Sequence, residues 1–196
     1  MDSHGGLRRC FGDGDLLMER YHDQEWGVPT HSDAEHYELL VLEGAQAGLS
    51  WRTVLHRRDA YREAFSGFDP AKVAGYTPET VDDLITDTGI IRNRRKVESA
   101  ISNARAFLMV QDEYGSFDKY IWGFIGHQPV MNAFTDWKQV PPETDTSRAM
   151  CRDLKRRGFS FVGPTICYAY MQSAGMVNDH LTSCFRWKQI KEMHGG

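Results

Sequence analysis

Positive charge is scarce in this 196-residue chain: 23 Lys and Arg face 27 Asp and Glu, for a net charge of −4. That excludes a strongly basic nucleic-acid protein, so any such binding must come from a local patch. Cysteine is sparse as well, with Cys10, Cys151, Cys167 and Cys184 forming no CxxC pair. The N-terminal stretch carries Asp2, Arg8, Arg9, Asp13, Asp15, Glu19 and Arg20 and lacks the apolar core of an export signal. Reduced thiols and a cytoplasmic setting are therefore expected. Long apolar runs are missing too. Only Gly158–Asn178 is free of charge over a length that could span a bilayer. Ser160, Gly163, Pro164, Thr165, Gln172, Ser173 and Gly175 interrupt it, so it reads as buried protein and no membrane is expected. No repeat or low-complexity tract occurs, and 41% hydrophobic and 12% aromatic residues are ordinary for a globular domain.

Strict alternation long enough to require a sheet is also absent, and the expected fold class is all-α. Ser32 with Glu35 reads as a capping box opening a helix that runs to about Leu49. Trp51, Val54, Leu55, Tyr61, Ala64 and Phe65 follow helical spacing in a second. Asp69-Pro70 and Thr77-Pro78 place cap residues before prolines suited to a first turn. Val97, Ala100, Ile101, Ala104, Phe107 and Leu108 share one face of a longer helix. A further helix follows Ser116, with Tyr120, Ile121 and Phe124 inward. After the Pro141-Pro142 loop, a helix ends in Lys155, Arg156, Arg157 and Gly158, and Pro164 starts one that stops at Gly175.

Four features carry chemistry. His180 and Cys184 stand i, i+4 on one face of a helical turn, and Cys10 and His22 are available as two more metal ligands. His4, His31 and His36 compete with them, and buried thiols also pack simply as small hydrophobes. Next, Tyr21–Pro29 (YHDQEWGVP) and Leu42–Trp51 (LEGAQAGLSW) are aromatic and acidic. Glu43 lies within Leu39, Leu40, Val41, Leu42 and Ala45, and a buried carboxylate must be paired or have a task. Gly44 and Gly48 suggest a close approach by backbone or ligand. The alternative is that Glu43 points outward and Trp51 is core. Third, Arg157–Thr165 (RGFSFVGPT) is a two-glycine hairpin whose second helix begins after Gly163, where free N–H groups can hold a phosphate. A plain helix–helix turn has the same features. Fourth, Arg92, Arg94, Arg95 and Lys96 form either a solvated helix start or a DNA-backbone contact.

Together these stretches, with Gly89–Lys96 (GIIRNRRK), Lys155–Gln172 (KRRGFSFVGPTICYAYMQ) and Val177–Cys184 (VNDHLTSC), resemble the bacterial 3-methyladenine DNA glycosylase I family of helix-hairpin-helix glycosylases. The resemblance covers most of the chain from Cys10 to Cys184. It implies a helix-hairpin-helix bundle with one structural zinc joining the N- and C-terminal segments through Cys10, His22, His180 and Cys184. It implies a base pocket of Tyr21, Trp26, Glu43 and Trp51, with Glu43 in the catalytic role. It further implies DNA-backbone contacts along the hairpin, at Arg157, Gly158, Phe159, Val162, Gly163 and Thr165. The expected activity is flipping of 3-methyladenine out of alkylated double-stranded DNA and hydrolysis of its N-glycosidic bond, by a monomer. One domain is expected over residues 10–187, with a disordered terminus over 1–9 and a tail over 188–196.

Chemistry suits these residues. Adenine alkylated at N3 is cationic and leaves as a neutral base, so no general acid is needed. Indole and phenol faces attract a cation, and Glu43 can accept from the exocyclic amine. Asp179 is expected to order the metal end and not to act as a base. Two departures from the family pattern are Met18, where an aromatic often stands, and Phe11-Gly12, where a tryptophan would be sought; they predict a pocket less aromatic on one side. Two other readings are a lesion-sensing module without catalysis, and a metalloenzyme, which would need an open coordination position that four protein ligands close.

Overall fold

The computed structural model describes residues 8–193. Side-chain caps set most helix starts. Asp15 accepts from the N–H groups of Leu17 and Met18 to open α1 (Leu16–Gln24). Ser32 opens α2 (Asp33–Gln46) and Ser50 opens α3 (Trp51–Leu55). After α4 (Arg58–Ala64), Asp69 and Thr77 cap α5 (Pro70–Val73) and α6 (Pro78–Leu84), each with proline in the first turn. Asn93, Ser116 and Thr144 then cap α7 (Arg94–Tyr114), α8 (Phe117–Trp122) and α9 (Asp145–Arg156). α10 (Pro164–Ser173) follows the glycine hairpin, and α11 (Phe185–Met193) ends the described chain.

The fold is mostly helical, as expected, with local corrections. The box at Ser32 is half formed: its side chain receives the Glu35 N–H, but the Glu35 carboxylate accepts from the Thr30 hydroxyl instead. α2 ends at Gln46, because Gly48 takes φ +78. The single helix expected over Trp51–Phe65 breaks at His56–Arg57 into α3 and α4. α10 stops at Ser173, two residues short of Gly175. A parallel pair, β1 (Val130–Met131) and β2 (Val177–Asn178), was not anticipated, since two residues show no alternation. The uncharged stretch from Gly158 is divided among hairpin, α10 and β2, and no helix among the described residues is long and apolar enough to cross a membrane.

At both limits of the described residues the chain is more structured than expected. Residues 1–7, including His4, lie outside the described residues, but Arg8 and Arg9 are held. The Arg8 carbonyl accepts from Phe185 N–H, and the Arg9 guanidinium pairs with Asp23 at 2.7 Å. Residues 188–193, read as tail, continue α11, whose Ile190 is fully buried beside Gly27.

α2 is the axis of the core. Every residue from His36 to Ala45 is buried, because α3, α7, α8 and α10 surround it. Tyr37, Leu42, Phe107, Phe117, Met150, Leu154, Tyr170 and Met171 fill the interior. A smaller cluster of Tyr21, Trp26 and Leu55 packs with Cys10, Phe11, Met18 and Trp51 on the N-terminal side. Gly175 joins the two. Its φ is +66, and a Cβ there would lie 2.2 Å from the backbone of Val28 and Pro29. The loop after α1 therefore lies directly on the end of α10, with Gly27 N–H donating to Gln172 O and Thr30 N–H to Ala174 O.

Candidate active site and metal centre

Where the two clusters meet there is a cavity of about 330 Å³, lined by Phe11, Met18, Tyr21, Trp26, Glu43, Gln46, Trp51, Trp137, Ala169, Gln172 and Ser173. The structure brings all four expected pocket residues together. Tyr21 comes from α1 and Trp26 from the loop after it. Glu43 projects from α2, and Trp51 is the first residue of α3. The rings of Tyr21 and Trp51 lie 5.2 Å apart at 42°.

Glu43 does not point outward. It is 3% exposed, and Ser173 Oγ donates to its Oε1 at 2.6 Å while the Tyr21 hydroxyl donates to Ser173 at 3.0 Å. Burial pushes its carboxyl up to about 7, with the Ser173 hydrogen bond opposing. No Lys, Arg or His lines the cavity, and no cation among the described residues pairs with Glu43. Gly44 meets only Phe161 Cβ, at 3.6 Å, so the close approach suggested there is modest; Gly48 is needed for its positive φ. Ser173 and Trp137 were not anticipated.

Beside the cavity, Cys10, His22, His180 and Cys184 converge, their ligand atoms all within 4.8 Å of one another. The two thiols lie 3.2 and 3.3 Å from His22 Nε2, and 3.4 and 3.6 Å from His180 Nδ1. Tetrahedral bonds of usual metal–N and metal–S length put such atoms about 3.5 Å apart. Both imidazoles are oriented from behind: His22 Nδ1 donates to Asp23 and His180 Nε2 to the Trp26 carbonyl. The Cys10 thiol bonded to Cys184 holds Cys184 well below the usual thiol range and Cys10 well above it, since sulfurs this close cannot both be charged without a cation. Of the competing histidines within the described residues, His31 and His36 lie elsewhere and both hold Asp118. Asp179 is fully buried and accepts from Asn132 at Oδ1 and from Tyr168 and Gln172 at Oδ2, which fixes its carboxylate from two sides.

The expected hairpin joins α9 and α10. Gly158 (φ +94) and Gly163 have nothing within 4 Å of a built Cβ, and α10 starts without a side-chain cap. Thr165 is exposed there. Phe159 and Val162, however, are buried, so they anchor the hairpin from within, and the Phe159 N–H donates to Leu154 O. Arg157 is committed within the protein, to Asp153, Glu113 and the Tyr114 hydroxyl. The second basic segment also divides. Arg94 pairs with Asp82, and Lys96 Nζ donates to Ala45 O and Ala47 O, both at 2.8 Å. Arg92 and Arg95 are exposed, with no ion pair among the described residues.

The family model for methyladenine glycosylases matches residues 11–187. The chain belongs to the methyladenine glycosylase family. It is 47% identical over 179 residues to the DNA-3-methyladenine glycosylase 1 of Escherichia coli K12, covering 91% of this chain and 96% of that one. A crystal structure of 3-methyladenine DNA glycosylase I is 46% identical, with a TM-score of 0.89 over 91% of this chain and 98% of that one. The Staphylococcus aureus relative, solved for the structural basis of 3-methyladenine recognition, is 35% identical, with a TM-score of 0.88 over 92% of this chain and 97% of that one. The match thus spans nearly all of the chain and includes every residue lining the cavity, with His22, His180 and Cys184 of the four-ligand cluster; Cys10 stands one residue before it.

Proposed function

We propose that the chain is a DNA-3-methyladenine glycosylase, flipping the lesion from alkylated duplex DNA and hydrolysing its N-glycosidic bond to leave an abasic site for base excision repair. The observation that carries this is Glu43, a carboxylate buried in an aromatic cavity with no cation among the described residues beside it. Its charge is costly there until a positively charged guest arrives. A base alkylated at N3 brings that charge; normal adenine does not. Tyr21, Trp26 and Trp51 supply the π faces that a cationic ring prefers. Glu43 accepts from the exocyclic amine, while Ser173 holds the carboxylate in place. The bond is already labile and the base departs neutral, so selection and extrusion are the main tasks, extrusion costing a few kcal/mol.

The metal we assign to the four-ligand cluster is zinc, which suits two thiolates and two imidazoles. Four protein ligands leave no position for water, so its part is structural. Cys10, His22, His180 and Cys184 would hold it and fasten the chain's two ends around the cavity. Hairpin N–H groups between Phe161 and Thr165, with Arg92 and Arg95, are the proposed DNA-backbone contacts, since the N–H groups of Gly158, Phe159 and Ser160 already donate to Lys155 O, Leu154 O and Asn103 Oδ1. Asp179, which ties Asn132, Tyr168 and Gln172 together beside His180, is assigned an ordering role. The protein is proposed to act as a monomer in the cytoplasm.

The test is base release from methylated DNA, analysed by chromatography, with the Glu43→Ala variant in parallel. Free 3-methyladenine from the wild type, strongly reduced in the variant, is the expected result. No release by a folded, metal-loaded wild type would overturn the assignment in favour of a lesion-binding module.

A further inference from the structure

We propose that Trp137 is a substrate-binding residue whose indole closes the less aromatic side of the cavity and stacks on the extruded base. This rests on the glycosylase reading above. Trp137 lies far in sequence from the other pocket residues, in a short 3-10 turn (Trp137–Gln139) between β1 and α9. It nevertheless lines the same cavity as Glu43, beside Phe11 and Met18. That is the side where the sequence departs from the family pattern.

Phe11 is already engaged edge-on with Trp26 and His22, at 5.0 and 4.8 Å. Met18 offers no π face. Trp137 therefore adds aromatic surface where Met18 has none and the Phe11 ring is engaged with its neighbours. Its ring centroid stands 6.1 Å from Trp26 and 6.3 Å from Phe11, and it is 40% exposed.

An exposed indole is common on a protein surface, but this one is also fixed in place. Its Nε1–H donates to the Cys10 carbonyl at 3.0 Å. Asp136 accepts from Lys138 N–H, and the Thr135 N–H and hydroxyl both donate to Gln139 Oε1. The Phe134 carbonyl accepts from Thr182 N–H, within the segment that carries His180 and Cys184. The ordering cost of the ring is met before any base arrives, which is how a preorganised contact gains affinity. Its N–H is occupied, so what it presents to the cavity is a face or an edge of the ring and not a donor.

The experiment compares wild type, Trp137→Phe and Trp137→Ala for release of 3-methyladenine from methylated duplex DNA. Metal content and Tm are measured on each, with quenching of tryptophan fluorescence by free 3-methyladenine. Stacking of this kind predicts a fall in kcat/KM of about tenfold for the alanine variant. The phenylalanine variant, which keeps a ring but loses the bond to Cys10, stays within about threefold of wild type. Metal content and Tm are unchanged in both, and quenching is smaller in Trp137→Phe than in wild type because one stacked indole is gone. Full activity in Trp137→Ala overturns the proposal. So does equal loss in both variants accompanied by metal loss, which would make Trp137 a support for the Cys10 segment. If the wild type itself releases no base, the glycosylase reading fails and this proposal with it; an active wild type matched by Trp137→Ala removes only Trp137.

Discussion

His180 Nε2 donates to the Trp26 carbonyl at 2.9 Å, and the two rings meet edge-on with centroids 4.6 Å apart. One imidazole thus faces the thiols through Nδ1 and holds a wall of the cavity through Nε2. The bond fixes the tautomer that leaves Nδ1 free to ligate, and it couples the order of the metal cluster to the order of the pocket.

That coupling predicts the consequence of emptying the proposed zinc site. Cys184→Ser, or chelation of the wild type, removes binding free energy that contributes to folding. A fall in Tm of about 10 °C or more is expected for a chain of this size. Activity should fall with it, and re-addition of zinc after chelation should restore both. Lost activity at unchanged Tm and metal content would show that the cluster is not structural. Scanning calorimetry with metal analysis decides.

Glu43 makes the reaction depend on pH. With its carboxyl pushed up to about 7 by burial, the free enzyme loses the anion that attracts a cationic base as pH falls. kcat/KM should decline below about pH 7, by roughly tenfold per unit. Ser173→Ala removes the hydrogen bond that favours the charged form. The acid limb should then move to higher pH, by about one unit. Glu43→Gln should be weak and nearly flat over the same range. A pH–rate profile of the three proteins is the measurement.

How much of this was visible in the sequence differs by residue. Glu43 is conspicuous because a carboxylate within an apolar run needs a reason, and the helix caps Ser32, Asp69 and Thr77 declare themselves through local chemistry. Ser173 does not, since its partner Glu43 is 130 residues away and any small residue would suit that place in α10. Trp137 has no periodicity to mark it. Arg157 looks like a DNA contact until the fold brings Glu113, 44 residues distant, to its guanidinium. Pair interactions that neutralise a charge across the fold leave no trace in local spacing, and neither do strands of two residues.

The same carboxylate has a cost in stability, with a definite sign. Its folded value of about 7 lies above the ordinary 4.5. Below pH 4.5 it is protonated in both states and costs nothing. Between 4.5 and 7 the unfolded chain gives up the proton that the folded one retains, so stability falls as pH rises. Above 7 the penalty is complete, at about 3 kcal/mol. Glu43→Gln keeps an acceptor for Ser173 without the charge. It should melt several degrees higher than wild type at pH 8, with the gap closing near pH 4.5. An equal difference at both pH values would mean that Glu43 is not the titrating group.

The divided basic segment at the start of α7 separates binding from stability. Arg92 and Arg95 are exposed without an ion pair among the described residues, whereas Arg94 is held by Asp82 and Glu98. Replacing Arg92 or Arg95 by alanine should weaken DNA binding irrespective of sequence. Each replacement should lower the slope of log K against log salt by about 0.9 if that residue meets one phosphate. Tm should not change. Arg94→Ala should leave the slope alone and change Tm little, as exposed pairs contribute little. Lys96→Met should do the reverse of the free arginines: the loop from Ala47 to Ser50 loses the ammonium that ties it to α7, so Tm falls while the salt slope stays. Fluorescence anisotropy titrations over a range of salt, alongside melting curves, distinguish the two roles, and an unchanged slope for both Arg92 and Arg95 would place the DNA backbone elsewhere.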